Sequence, residues 1–254
     1  MIILFLSFLF AFITNQKKKF QHQKDINILR ETQQNQLIEA AVRSEEIERH
    51  RIAEALHDEV GAILSSTKLH LQGITHVNLT EKELQLFQRS KELLDDGIQK
   101  VRGISHNLHS NILKEFGLNE AIRHFIKKVV NSDMIRATTD LDDQYVTSNP
   151  ENDISIYRMV QELINNAMKH AKANKLHVAS TYSVDQLVLT ISYNGNGLSQ
   201  EQFEKLRYSK DGLGLKNIQN RVILLRGNIN FEASSNNNRI IITIPLQNLP
   251  YEQD

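Results

Sequence analysis

The sequence predicts a mainly α chain that ends in an α+β domain: a helical hairpin that closes into a four-helix bundle as a dimer, followed by an α/β sandwich. Three observations predict it. No proline occurs before Pro150 in the 254 residues, so nothing obligatory breaks a helix in the first half. Two long apolar stripes then recur at spacings of three and four. After about Leu108 the texture changes to short alternating segments, helices and glycine-bearing loops.

The first stripe is Ile52, Leu56, Val60, Ile63, Thr67, Leu71 and Ile74, and Gly73 with the polar stretch around Asn78 ends it. The second is Leu84, Phe87, Lys91, Leu94, Ile98, Val101, Ser105 and Leu108, an a/d heptad with polar positions. Each helix has one narrow seam. A lone hairpin buries too little, and a second copy supplies the rest. Residues 111–130 read as a connecting helix, Ile135–Leu141 as a strand and Asp153–Ala171 as a helix with Ile156, Val160, Leu163, Ile164 and Ala167 inward. Leu176 and Val178 open a strand, and Leu187, Leu189 and Ile191 alternate with Val188, Thr190 and Ser192 in the next. Leu215–Arg226 is a helix stopped by Gly227, and Ile229–Ala233 with Ile240–Ile244 is a closing hairpin turning at Asn236–Asn238.

Composition narrows the function. Hydrophobic residues make up 40% of the chain, too many for a disordered protein. Thirty basic and thirty acidic residues cancel, so no global field argues for nucleic acid. The absence of cysteine excludes disulfides and thiolate chemistry. At the N-terminus Ile2–Ile13 is almost wholly apolar and Lys17, Lys18 and Lys19 follow. The run is short for a span, but snorkelling lysines extend it. A basic flank after the run, with no cleavage site, favours an uncleaved anchor over a secretory signal. The expectation is a single-pass segment in the inner (cytoplasmic) membrane with the rest of the chain cytoplasmic.

Three constellations carry chemistry. His57 follows the seam residue Leu56, which places it at the bundle edge, and Asp58 stands next to it. A carboxylate beside an imidazole holds its tautomer and accepts its proton when the ring attacks phosphorus. Glu162 and Asn166 lie one helical turn apart, an oxygen pair suited to Mg²⁺ or its water, with Lys169 and His170 in reach of phosphate. Tyr193-Asn194-Gly195-Asn196-Gly197 closes a strand, and Asp211-Gly212-Leu213-Gly214-Leu215 opens a helix. Glycines there let backbone N–H groups approach phosphate. The polar stretch between them reads as a mobile lid. Each constellation alone also fits an ordinary polar surface.

In order and spacing the three sets resemble the two-component sensor histidine kinases whose dimerisation domain carries an R-I-A-x-x-L-H-D-x-x-G core. Arg51-Ile52-Ala53, Leu56-His57-Asp58 and Gly61 carry that likeness. The later domain resembles the GHKL ATPase fold shared with type II topoisomerases and Hsp90. Glu162, Asn165, Asn166, Lys169 and His170 match its N box; Asn194, Gly195 and Gly197 match its first glycine box; Gly212, Gly214, Leu215, Asn217 and Arg221 match its second.

The resemblance implies boundaries at 1–19 (anchor and basic flank), 20–45 (helical linker), 46–109 (dimerisation and histidine phosphotransfer), 110–247 (ATP binding) and 248–254 (tail). It implies ATP and Mg²⁺ as cofactors, His57 as phosphoacceptor, Asp58 as its acid/base partner and Glu162 as an orienting carboxylate. Asn166 would hold the metal. Asn165, Lys169, His170, Tyr193, Asn194, Gly195, Gly197, Gly212, Leu213, Gly214 and Leu215 would surround the nucleotide. Partners would be a second copy and a response regulator of helix-turn-helix DNA-binding type. Two departures stand out. Tyr193 occupies the place of the aspartate that contacts the adenine amino group, and Ala62 occupies that of a glutamine that helps dephosphorylate the partner. The first raises a rival reading, a non-catalytic dimeric scaffold with impaired ATP binding. The second implies weak phosphatase activity.

Overall fold

The computed structural model describes residues 2–74, 80–108, 111–130, 135–146, 149–207, 213–234 and 237–246, with backbone alone at 2–4, 6, 8 and 11. The chain divides into two compact units, residues 1–43 and 44–254.

Helix α1 runs Ile2–Ala55 without a proline to stop it. Within the first unit its surface is exposed, with Phe10 at 71%, Phe20 at 75% and Leu37 at 72%. Here the structure corrects the sequence reading. Among the described residues no helix is long and apolar enough to cross a membrane. The physical reason is length: Ile2–Ile13 rises about 18 Å at 1.5 Å per residue against about 30 Å of hydrocarbon. Asn15, Gln16 and three lysines follow immediately. The single-pass membrane assignment is therefore withdrawn.

In the second unit α1 passes into a π-helical turn, Leu56–Val60, and then α2, Gly61–Gln72. The Gly61 N–H donates to the Leu56 carbonyl, the i→i+5 bond that defines the wide turn. Helix α3, Glu81–Leu108, packs back on α2 to form the hairpin. Its start is a reciprocal cap: Thr80 N–H donates to Glu83 at 2.8 Å and Glu83 N–H to Thr80 Oγ at 3.4 Å. Little of the hairpin's apolar seam is covered within one chain. Ile98 is buried, but Ile63 is 65% exposed, Ile74 48% and Leu84 47%.

The rest is the sandwich. Helix α4, Asn111–Val130, kinks at Gly117, whose φ of 79° a side chain rarely adopts. Strand β1, Arg136–Asp140, pairs in parallel with β2, Lys175–Tyr182. Strand β3, Gln186–Tyr193, pairs antiparallel with β2 and with β5, Asn238–Pro245, which also takes β4, Asn228–Glu232. The sheet order is β1-β2-β3-β5-β4. Helix α5, Pro150–Lys169, starts where Asn149 caps the Glu151 N–H at 2.9 Å and Pro150 occupies the first helical position. Short α6, Gln200–Leu206, has a capping box between Ser199 and Gln202, and α7 is Leu213–Leu224. One face of the sheet, including Val178, Leu189, Ile191 and Ile242, packs on Ile122, Ile156, Leu163, Ile164 and Ile218 from the helices. The other face keeps the polar alternates, such as Thr190 and Ser192. The expected tail, 248–254, lies outside the described residues.

Candidate functional site

Helix α5 divides its faces by position. Ile156, Val160, Leu163 and Ile164 enter the core. Glu162, Asn166, Lys169 and His170 instead line a cavity of about 600 Å³. Tyr193, Gly197, Gly214 and Leu215 line it from the strand end and the start of α7, and Phe231 and Ile240 from the hairpin. The sequence-predicted residues from three distant segments thus meet around one space, with an apolar wall and a polar mouth. That is the build of a ligand site.

The glycines are close-approach positions. A Cβ on Gly214 would lie 2.1 Å from Glu162 Oε1, and one on Gly197 would lie 2.1 Å from Asn238 Oδ1. Gly195 has φ +93°, and a Cβ there would meet the Ala171 carbonyl at 2.2 Å. Asn194 does not line the cavity; its side-chain oxygen accepts the N–H groups of Asn174 and Lys175, both at 2.9 Å, and braces the loop. Leu213 is 67% exposed and also lies off the lining, and Gly212 lies outside the described residues. Asn165 faces a second cavity of about 180 Å³, lined also by Arg158, Gln161, Asn217 and Arg221, and Glu162 lines both.

Tyr193 is buried and its phenol is held above its ordinary value by that burial, partly opposed by the Leu198 N–H that it accepts. It is neutral at physiological pH, with its own O–H still to donate. Asn166 Nδ2 donates to Glu162 Oε1 at 3.3 Å, which leaves the Asn166 carbonyl oxygen for a ligand. Among the described residues no group of three or more His, Asp or Glu stands ready for a metal. A cation here would take most of its oxygens from ligand phosphates and water, the habit of Mg²⁺. The donor set fits that ion, and the glycine cradle fits a polyphosphate.

His57 stands on the π-turn, its side chain 75% exposed, with Nδ1 2.8 Å from Asp58 Oδ1. A carboxylate at that nitrogen accepts from it, so in the neutral ring Nδ1 carries the proton and Nε2 presents a lone pair. His57 lines a cavity of about 480 Å³ that shares no lining residue with the one below α5.

Sequence reasoning missed Arg158, the ion pair of Arg221 and the buried role of Asn238. Arg158, its side chain 4% exposed, donates to Glu46 at 2.6 and 3.0 Å and to the Asn107 and Leu108 carbonyls. Arg221 pairs with Glu45 at 2.8 Å. These two arginines tie the helix that leads to His57 onto the sandwich. Burial pulls the Arg221 guanidinium below its ordinary value, and the carboxylates of Glu45 and Glu46 oppose it. Asn238, read as a turn residue, is buried; its amide donates to the Gly195 carbonyl and its oxygen accepts from Ser234 N–H. A charged residue inside an otherwise periodic helix was the only available signal for Arg158, a signal shared by every solvated face, whereas Arg221 was legible as a glycine-box position but not as the partner of Glu45.

Known proteins are similar to this chain. Residues 48–113 match the family model described as "Histidine kinase", and residues 151–248 match that of the "Histidine kinase-, DNA gyrase B-, and HSP90-like ATPase". The chain belongs to the histidine kinases. It is 28% identical over 216 residues to the sensor histidine kinase MctS of Rhizobium johnstonii, a match covering 82% of this chain and 45% of the relative. The chain therefore spans less than half the length of that relative. The Acinetobacter baumannii histidine kinase AdeS is similar at 19% identity and a TM-score of 0.44, over 77% of this chain and 98% of that one. The kinase domain of the Erythrobacter litoralis blue-light activated histidine kinase EL346 is similar at 16% and 0.47, over 74% and 94%. The ATPase match implies that the domain binds ATP.

Proposed function

We propose that the protein transfers the γ-phosphoryl group of ATP to His57 and passes it on to an aspartate of a separate response regulator of the helix-turn-helix DNA-binding type. The observation that carries this reading is the pairing on one chain of an exposed His57–Asp58 couple with a glycine-cradled cavity built around Glu162 and Asn166. The His57 Nε2 lone pair is the nucleophile, and Asp58 holds the Nδ1 proton and balances the charge that develops on the ring. Asn166 would hold Mg²⁺ through its side-chain carbonyl, with Glu162 orienting that amide. When bound, the cation neutralises charge on the polyphosphate. Lys169 and His170 stand at the polar mouth of the cavity for the phosphates.

A second copy completes the bundle, because Ile63, Leu69, Leu86 and Leu93 are each more than half exposed in one chain. Tyr193 takes the adenine contact as a neutral phenol, a weaker discriminator than a carboxylate. Ala62 has no polar atom to orient water, so dephosphorylation of the regulator is slow.

The protein is incubated with γ-labelled ATP and Mg²⁺ beside a His57→Gln control. Acid-labile, alkali-stable label that the control lacks is the expected result. Absence of both label and nucleotide binding would replace the reading with a non-catalytic scaffold. Return of label in Tyr193→Asp would then assign the loss to the adenine contact.

A further inference from the structure

The surroundings of His57 are poorly charged for the group it is read to accept. Asp58 is bonded to the ring and Glu54, on the same cavity wall, sits 3.2 Å from His50. A phosphoryl group adds close to two more negative charges. The same wall carries one arginine, Arg102. It is exposed and makes no ion pair or hydrogen bond among the described residues. On the same two helices Lys68 pairs with Asp95 at 2.6 Å, Arg89 with Glu92 at 3.1 Å and Lys100 with Asp96 at 2.7 Å. Arg102 also has a fixed address. One turn later on α3 the buried Ser105 donates to the Ala53 carbonyl at 2.9 Å, which clamps α3 against the turn just before His57.

We infer that Arg102 is the phosphoryl-binding residue of the acceptor site, its guanidinium held free to bind the oxygens of the group on His57 Nε2. The inference rests on the reading of His57 as phosphoacceptor. In that step the N–P bond forms as the bond from the γ-phosphorus to its bridging oxygen breaks. ADP leaves with the electron pair, and the Nδ1 proton stays between the ring and Asp58. Arg102 forms no covalent bond. It offsets the charge that Asp58 and Glu54 would repel, and its planar fork suits two phosphoryl oxygens at once.

The test loads His57 without ATP, using phosphoramidate on the intact chain. His57→Gln identifies its signal among those of the other histidines. Wild type, Arg102→Lys and Arg102→Ala are compared by ³¹P titration of the phosphohistidine and by labelling from ATP. In Arg102→Ala the phosphoryl ionisation midpoint rises by about one pH unit, labelling from ATP slows about tenfold with the KM for ATP unchanged, and Arg102→Lys falls between. Coincident midpoints in wild type and Arg102→Ala overturn the inference, whatever ATP does. A raised midpoint with no labelling of wild type by ATP supports Arg102 and sinks the kinase reading. Failure of phosphoramidate to load His57 sinks both. Unchanged far-UV circular dichroism in each variant excludes a merely structural loss.

Discussion

The helical hairpin and the sandwich solve the problem of burial in opposite ways. The sandwich closes its core within one chain: Ile122, Ile156, Leu163, Ile164, Leu189 and Ile242 are at most 1% exposed. The hairpin leaves Ile63, Leu69, Leu86 and Leu93 open along its length. Both regions carry regular apolar patterns, spaced by three and four in the hairpin and alternating in the strands, and the difference in burial lies in geometry. A sheet with helices on one face encloses a volume, whereas two helices enclose a line. The sandwich should therefore have a stability of its own, and the hairpin one that depends on protein concentration.

The largest effect should come from breaking the enclosed core. Leu189→Ala removes a side chain that is 1% exposed, and about 4 kcal/mol of stability should be lost in denaturant titration. Ile63→Ala should change that same transition by less than about 0.5 kcal/mol and instead weaken dimerisation, read by sedimentation. Equal losses at the two sites, or a hairpin transition independent of concentration, would erase the contrast.

The next effect sits where the regions meet. Glu46→Ala leaves Arg158 buried without its carboxylate. Removal of one partner from such a pair costs about 3 kcal/mol. Because Arg158 also holds the last carbonyls of α3, proteolysis near residue 108 should accelerate. Arg158→Met with Glu46→Leu should recover most of the loss. A double variant no more stable than Glu46→Ala would mean that the pair does not join these helices. A smaller and more local effect is expected at Gly214→Ala. The new Cβ displaces Glu162 Oε1, and nucleotide affinity should fall about tenfold, or about 1.4 kcal/mol, with the unfolding midpoint nearly unchanged.

The same contrast explains what was legible in the sequence. Strand β3 was readable because its alternation maps directly onto burial, and α5 because Ile156, Val160, Leu163, Ile164 and Ala167 recur on one face, although its start at Pro150 was placed late, at Asp153. The cavity was readable as boxes, since Glu162, Asn166, Gly197 and Gly214 each have a local reason to be where they are. Asn165, adjacent to Asn166 in the box, faces the other cavity, because one residue turns a helix face by about 100°. The π-turn under His57 has no sequence signal, as its only mark is a hydrogen bond shifted by one residue. Asn238 and the arginines act across long separations, 43 residues for Asn238–Gly195 and 112 for Arg158–Glu46, which no local pattern encodes. The apolar N-terminal run was read by composition and failed on length.

The smallest predicted effect sharpens the comparison by pH. Asp142, at the end of β1, accepts the Tyr182 N–H at 2.8 Å and the Gln144 N–H at 3.0 Å, and its own N–H donates to Ser180 Oγ. The Tyr182 bond first, then the Gln144 bond, holds its carboxyl below the ordinary value. A lowered folded value means that the unfolded chain binds the proton more readily. The stabilisation is complete above the unfolded value, near pH 4, and disappears as pH falls through the lowered folded one. Asp142→Asn should therefore melt below wild type at pH 7, with the gap shrinking under about pH 4. Asp142 belongs to the sandwich, so the acid-dependent part should appear in the concentration-independent transition and leave dimer dissociation alone. A gap that stays constant from pH 7 to pH 3, or that follows dimer dissociation, would mean that the carboxylate's charge does not hold this corner of the sheet.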